Sequence, residues 1–192
     1  MTTSRPVVCS FVAALAALVT LQWGLAARAQ DVPAPLRAAL VLRAVGYERT
    51  TNTGRGSLRL VVVGAAGSTD AAAMQSAFEG LAPRMQVAGR AVVVSRIEHR
   101  SVAETLAEIR RTGAMIVYVA SDVEGVVGSM ASALALERRL LVCGRPRLVG
   151  SGCILSVEPA AGRSRLVIDL ARASAQGFEF DSRLVRLSRV VR

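Results

Sequence analysis

The chain has 192 residues and a formal net charge of +10, and all of its basic side chains apart from one histidine are arginines. Aromatic residues make up only 4% of the sequence and the arginines are scattered, so the chain lacks the stacking platforms of single-strand nucleic acid binders. An acidic protein face or an anionic headgroup surface suits this charge better than a nucleic acid does.

The first 29 residues have the layout of a secretory signal peptide. Arg5 precedes an apolar stretch at 7–25, and Ala27-Arg28-Ala29 supplies the small residues of a cleavage site before Gln30. We therefore expect cleavage between Ala29 and Gln30, export to the periplasm, and one domain over residues 30–192. The apolar stretch is long for a signal peptide, so retention as a membrane anchor is the alternative.

A helix rich in alanine, leucine and arginine is predicted at 36–47, before a polar loop at 50–57. Short apolar runs then alternate with helical patterns. Predicted strands cover 58–63, 91–95, 114–119 and 140–143, and predicted helices cover 70–81, 101–113 and 121–138. Capping boxes at 101–104 and 121–124 mark two of the helix starts. Continuous apolar strands between helices predict a three-layer α/β/α sandwich with a mostly parallel sheet.

The pattern changes after residue 143. Segments 152–158 and 163–170 flank a four-residue turn, Pro159-Ala160-Ala161-Gly162, which predicts an antiparallel hairpin that extends the sheet. A short helical segment at 171–176 stops at Gly177.

An amphipathic helix is predicted from residue 181 or 182 to the end of the chain. Arg183, Arg186 and Arg189 recur at a spacing of three residues on this last helix. The pattern suits a solvated face opposite the apolar residues. It also suits a basic stripe that contacts an acidic partner or headgroups, so we take these three arginines as candidate partner-binding residues.

Two cysteines, Cys143 and Cys153, lie beyond the signal segment. An even number of cysteines in an exported protein suggests a disulfide, with two buried free thiols as the alternative. The single histidine, His99, is distant in sequence from both cysteines, so we expect no metal site.

No convergent catalytic set emerges from the sequence, so we expect no enzyme activity and no cofactor. The loop at 64–70 joins a strand to a helix, where anions can bind, but it lacks the spacing of a phosphate-binding motif and suits a tight turn with a capping residue. His99 suits a surface loop. Three serines, Ser68, Ser95 and Ser121, lack the context of a nucleophile elbow. Asp122 and Glu124 could form a carboxylate pair, but capping already explains Glu124.

Several segments resemble one bacterial family. The tail, Ile168-Asp169-Leu170 followed by 171–177 and 182–190, is similar to the family pattern "I-N-L", "A-A-x-x-A-G" and "S-x-L-L-x-L-A-x-V". The segment 115–119 resembles its "H-V-L-Y-I" strand, and Gly46-Tyr47-Glu48-Arg49 resembles a "G-Y-D-R" variant. On these residues the chain resembles the YfiR-like family of secreted, non-enzymatic proteins. Gly113 and Ala114 stand where many relatives have a cysteine, so one disulfide of the family is absent.

This resemblance implies a periplasmic regulator that binds an inner-membrane sensor, either a diguanylate cyclase in cyclic di-GMP signalling or a histidine kinase. An alternative from another class is a periplasmic small-molecule binding protein with its crevice at the carboxyl ends of the parallel strands. The sequence leaves the oligomeric state open, with a homodimer as one alternative, and leaves open a contact with an anionic membrane surface.

Overall fold

The computed structural model describes residues 31–50 and 56–191. The predicted signal peptide and its cleavage site at Ala29 and Gln30 lie outside these residues. Within the two described ranges, no helix is both long and apolar enough to cross a membrane.

A seven-stranded sheet with the order β2-β1-β3-β4-β5-β6-β7 forms the middle layer. The strands are β1 (Leu58–Gly64), β2 (Val92–Glu98), β3 (Ile116–Val119), β4 (Leu140–Cys143), β5 (Leu155–Ala160), β6 (Arg163–Asp169) and β7 (Arg189–Val191). The first five strands pair in parallel. β6 is antiparallel to β5, and β7 runs parallel to β6.

Helices cover both faces of the sheet. They are α1 (Ala34–Gly46), α2 (Thr69–Leu81), α3 (Val102–Thr112), α4 (Val127–Leu134), α5 (Leu170–Ala175) and α6 (Ser182–Leu187). Two short 3-10 helices, Ser121–Val126 and Pro146–Leu148, follow β3 and β4.

The pleat of the strands divides the core into two clusters. On β1, Leu60 and Val62 belong to the cluster that includes side chains of α1 and α2. Val61 and Val63 belong to the cluster under α3 and α4. All four side chains are fully buried, and each such burial contributes about 1.5–3 kcal/mol. The predicted three-layer fold with a mostly parallel sheet and a C-terminal hairpin is confirmed.

The two predicted capping boxes have different outcomes. Ser101 caps α3, because its Oγ accepts a hydrogen bond from the Glu104 amide at 3.3 Å. The prediction of a capping box at Ser121 is wrong. No side chain caps the 3-10 helix there, and the Ser121 hydroxyl donates to the Asp70 carboxylate at 2.9 Å. A charged acceptor from α2 competes better than a neutral local one. The following helix also ends at Leu134, before the predicted residue 138.

The hairpin turn is tighter than predicted. Pro159 and Ala160 belong to β5, which leaves a two-residue loop of Ala161 and Gly162. Both loop residues have positive φ, 43° and 78°. Turns with two positive φ values match the twist of the flanking strands, and glycine reaches this conformation without strain.

The last helix is shorter than predicted. α6 ends at Leu187, and residues 189–191 form β7 beside β6. The placement of Arg189 on the last helix is therefore wrong. Pairing with β6 satisfies the backbone of this segment, and Glu158 of β5 binds its arginine, which together override the helical pattern.

Candidate functional site

A groove of about 330 Å³ lies between α1, β6 and α6, and we name it the C-terminal groove. It is lined by Leu40, Arg43, Tyr47, Ser164, Arg165, Leu166, Arg183, Leu184 and Leu187. Three of these residues are arginines and none is acidic. The groove therefore combines an apolar floor with a positively charged rim.

Exposed apolar side chains stand at this groove. Leu187 is 77% exposed and Tyr47 is 40% exposed, whereas Leu184 is buried and anchors α6 to the domain. α6 is held at its start by Asp181, whose carboxylate accepts a hydrogen bond from the Arg183 amide at 2.8 Å. Because Leu184 faces inward, its neighbour Arg183 and the following turn at Leu187 stay at the rim.

The three candidate arginines have different environments. Arg183 lines the C-terminal groove, and Arg186 is exposed on the same helix. Among the described residues, neither side chain forms a hydrogen bond or an ion pair with an acidic group. Arg189 instead donates from Nη2 to Oε2 of Glu158 at 2.9 Å. Of the three arginines, only Arg183 therefore lines the groove, and Arg189 has a structural partner in Glu158.

Glu158 is shared by two arginines. It also accepts from Arg165 Nη2 at 2.7 Å. The hydrogen bond from Arg189 lowers the pKa of Glu158, together with the bond from Arg165 and against the opposing effect of burial. This ion pair network joins β5, β6 and β7 beside the groove.

The segment 46–49 connects the end of α1 to the segment just before α6 through hydrogen bonds. Glu48 is fully buried and accepts a hydrogen bond from the Glu179 amide at 2.9 Å. Arg49 N donates to the Glu179 carbonyl, and Asp181 N donates to the Tyr47 carbonyl, both at 2.9 Å. These bonds fix α1 beside α6 and so shape the groove. The sequence offered one signal, the family-like motif at 46–49.

Asp70 joins three segments at the carboxyl edge of the sheet. Its Oδ1 accepts from Arg37 Nη2 of α1 at 2.7 Å, and its Oδ2 accepts from the amide and the hydroxyl of Ser121, each at 2.9 Å. Burial would raise the pKa of Asp70, but the bonds from Ser121 and the charge of Arg37 hold it below its ordinary value of 3.8. The sequence analysis missed this cluster because its members are distant in the chain.

The loop before Asp70 is the predicted tight turn. Ser68 caps α2, because its Oγ accepts from the Ala71 amide at 3.0 Å. His99 Nδ1 lies 2.9 Å from Thr105 Oγ1, a contact within the loop and helix that follow β2.

The remaining polar residues considered from the sequence are dispersed. Ser95 lies in β2. Asp122 accepts from the Ala65 amide at 3.4 Å, and Glu124 pairs with Arg147. Over residues 31–50 and 56–191, no group of histidine, cysteine and carboxylate side chains is arranged to hold a metal ion.

Cys143 and Cys153 form the predicted disulfide, with their Cα atoms 5.9 Å apart. Both residues are buried. The bond ties the end of β4 to the segment just before β5, and it encloses the 3-10 helix Pro146–Leu148.

A family model described as YfiR/HmsC-like matches residues 34–189. No curated protein matches the sequence. Among solved structures, the ABC domain in complex with L-Trp from Streptococcus pneumonia has a TM-score of 0.59 and 12% identity, over 83% of this chain and 60% of that chain. The ligand-free, open structure of CD0873, a substrate binding protein with adhesive properties from Clostridium difficile, has a TM-score of 0.52 and 12% identity, over 71% and 55% of the respective chains. This chain thus spans less than two thirds of either protein, and the likeness concerns the fold alone.

Proposed function

Because this chain belongs to the YfiR/HmsC-like family, we propose that it is a non-enzymatic periplasmic regulator of an inner-membrane signalling protein. The family is one of regulators rather than enzymes, and the match over residues 34–189 is the observation that carries the proposal. The partner is a diguanylate cyclase or a histidine kinase, bound through its periplasmic domain. Binding changes the partner's output only if the two signalling states bind the regulator with different free energies.

The C-terminal groove is the surface that we assign to this partner. Arg165 is already paired with Glu158, but Arg43 and Arg183 form no ion pair among the described residues, and these two charges favour a negatively charged occupant. The exposed Tyr47 and Leu187 favour apolar contacts at the centre of the same contact area. The proposed occupant is therefore an acidic segment with apolar side chains on the periplasmic domain of the sensor.

Site-specific photo-crosslinking in intact cells tests this assignment. The chain contains no lysine, so amine-reactive reagents could modify only its N-terminal amine and would not report on the groove. A photoreactive amino acid is placed at Leu187, and a matched control at Leu136, which is 97% exposed and lies beyond α4. We expect one inner-membrane sensor to crosslink at position 187 and not at 136, and removal of the regulator to change that sensor's output. Only self-crosslinks or soluble proteins at position 187 would contradict the proposal.

A second candidate function is small-molecule binding, because the ABC domain with which this chain shares its fold was solved with L-Trp bound. Ligands of open α/β sheets bind at the carboxyl ends of the strands. A reproducible thermal shift with one ligand, without any protein partner in the crosslinking experiment, would favour this function over the first.

A further inference from the structure

β2 forms one edge of the sheet, and its outer side has no strand partner among the described residues. It is seven residues long, whereas β7 at the other edge has three residues. β2 contains three valines and an isoleucine but neither proline nor glycine, and it pairs with β1 without a bulge. Natural edge strands are often short, interrupted by proline or bulged, because an open edge can pair with another chain. β2 has none of these three features.

The outward backbone groups of β2 belong to its even-numbered residues. The Leu58 amide donates to the Ala91 carbonyl at 2.8 Å, and the His99 amide donates to the Gly64 carbonyl at 2.7 Å. Because alternate residues of a strand face the same neighbour in a parallel ladder, the odd-numbered residues face β1. The amides and carbonyls of residues 92, 94, 96 and 98 therefore point away from the sheet. No backbone hydrogen bond reaches them from the other segments that the structure describes.

The outer side of β2 leaves room for another strand. A groove of about 440 Å³ is lined by residues 96–98 together with residues of α3. In the first half of β2, Val93 is 49% exposed. Both halves of the strand are therefore accessible along this edge.

Arg96 and Glu98 are the two charged residues of β2. Both are exposed, and because they are two residues apart they lie on the same face of the strand. Over residues 31–50 and 56–191, neither side chain forms an ion pair. A second copy in antiparallel orientation presents the same two charges in reverse order. The pattern is therefore self-complementary, as the interface of a two-fold symmetric dimer must be.

The charges also favour one register. Antiparallel pairing about a two-fold axis at Ile97 places Arg96 of each copy opposite Glu98 of the other copy. Both residues have outward backbone groups, so each of these pairs can also exchange two backbone hydrogen bonds. An axis at residue 96 would place two arginines opposite each other, and an axis at residue 95 would place both charges opposite valines. Opposite charges directly across a sheet stabilise the pairing and like charges destabilise it, which favours the axis at Ile97.

We propose that a second copy of this chain pairs with β2 in this register, so that the two seven-stranded sheets become continuous in a symmetric dimer. β2 and β7 lie at opposite edges of the sheet, six strand spacings or about 29 Å apart. The dimer therefore leaves the C-terminal groove free and does not rest on the proposed signalling partner. It also predicts no self-crosslink at Leu187, so the two proposals can fail independently.

Sedimentation velocity of the purified protein over a range of concentrations tests the proposal. We expect a monomer–dimer equilibrium for the wild type. Arg96→Glu and Glu98→Arg each create two pairs of like charges, and each should raise the dissociation constant of the dimer about tenfold. The double variant restores opposite charges and should return the dissociation constant to near the wild-type value. Arg163→Glu, the same change of charge at an exposed position of β6, should leave it unchanged.

Single cysteines test the register independently, because Cys143 and Cys153 are already paired with each other. Ile97→Cys lies at the two-fold axis and should form a disulfide-linked dimer under mild oxidation. Val93→Cys is more exposed but lies four residues from the axis, so it should not form one. A monomer at every concentration, or a dimer that both single charge changes leave unaffected, would overturn the proposal. A double charge variant weaker than either single variant, or crosslinking at position 93 instead of 97, would also overturn it.

Discussion

Asp70 stabilises the fold through one carboxylate that three chain segments share. Its pKa lies below 3.8 in the folded protein. Because the folded pKa is lowered, the stabilisation is fully present above the unfolded value and is lost as pH falls through the folded value. Asp70→Asn should therefore reduce the free energy of unfolding by about 1.5–3 kcal/mol at pH 7, with little difference from the wild type at the lowest pH.

Urea denaturation from pH 7 down to about pH 2, which extends well below the ordinary pKa of 3.8, would measure this effect. Asp122→Asn is the matched control, since that side chain is exposed and, within the described ranges, accepts one long hydrogen bond, from the Ala65 amide at 3.4 Å. If Asp70→Asn and the wild type differed equally at all pH values, the carboxylate would not contribute through its charge.

Glu48 is the second residue whose loss should be costly. It is fully buried and accepts from the Thr50 amide at 2.9 Å, the Thr50 hydroxyl at 2.7 Å and the Glu179 amide at 2.9 Å. Glu48→Ala would leave these part-buried donors without their carboxylate acceptor, and we expect a loss of about 3 kcal/mol in the free energy of unfolding. Glu179→Ala, which removes an exposed side chain and keeps the backbone bonds, should change it by less than about 0.5 kcal/mol. A loss for Glu48→Ala as small as the one expected for Glu179→Ala would show that the Glu48 side chain is dispensable.

At the scale of elements, α6 contributes a charged rim to the C-terminal groove. Arg183→Glu should weaken binding of the proposed sensor domain about tenfold, and more strongly at low ionic strength, because a rim charge acts mainly through long-range attraction. Arg84→Glu makes the same change of charge at an exposed position after α2. Titration of the purified sensor domain would measure both variants. An equal loss of affinity would mean that total charge, rather than the groove, governs binding.

The segment between β4 and β5 depends on the disulfide. The disulfide closes a loop of about eleven residues, for which the chain-entropy model gives a stabilisation of roughly 2–3 kcal/mol. The double variant Cys143→Ser with Cys153→Ser should lose that much stability in urea, and a reducing agent should affect the wild type alone. If signalling by the double variant is normal at a temperature where it is folded, the bond has no redox role in regulation.

Local patterns were sufficient to predict the sheet but not the contacts between distant segments. The continuous apolar runs of β1, β3 and β4 are a property of consecutive residues, and burial on both faces follows from them. Ser121 has the local pattern of a helix cap, yet it binds Asp70, which lies 51 residues earlier. The local pattern at β7 predicts a helix. Its pairing with β6 cannot be predicted from that pattern, because it depends on where α5 and α6 place the end of the chain.

The same limit applies to the candidate sites. Arg183 was predicted from its spacing on the last helix, but Arg43, Tyr47 and Arg165 join it only after α1 packs beside β6 and α6. Tyr118 reads as an ordinary strand residue. Its buried hydroxyl has no hydrogen-bond partner among the described residues, and this follows from the packing of distant segments and not from the local pattern.

For the whole molecule, β7 protects one edge of the sheet. It is three residues long and carries an arginine, features that discourage pairing with another chain. Truncation after Ser188 would expose the backbone of β6, and we expect the truncated protein to aggregate at concentrations where the full chain stays in solution. Light scattering would compare it with Arg189→Ala, which keeps the backbone of β7. If the truncated protein stayed in solution as well as Arg189→Ala and the full chain, β6 would not need this cover.

The bond between Glu48 and the Glu179 amide spans 131 residues. Because a protein is synthesised from its N-terminus, the carboxylate of Glu48 is made long before the amide with which it pairs. α1 can become helical early, but its polar end is complete only when nearly the whole chain is available. Chains that terminate before Glu179 therefore contain Glu48 without this amide. We expect such chains to be more sensitive to proteases than chains that include Glu179, because the bond that joins the end of α1 to the segment before α6 is missing.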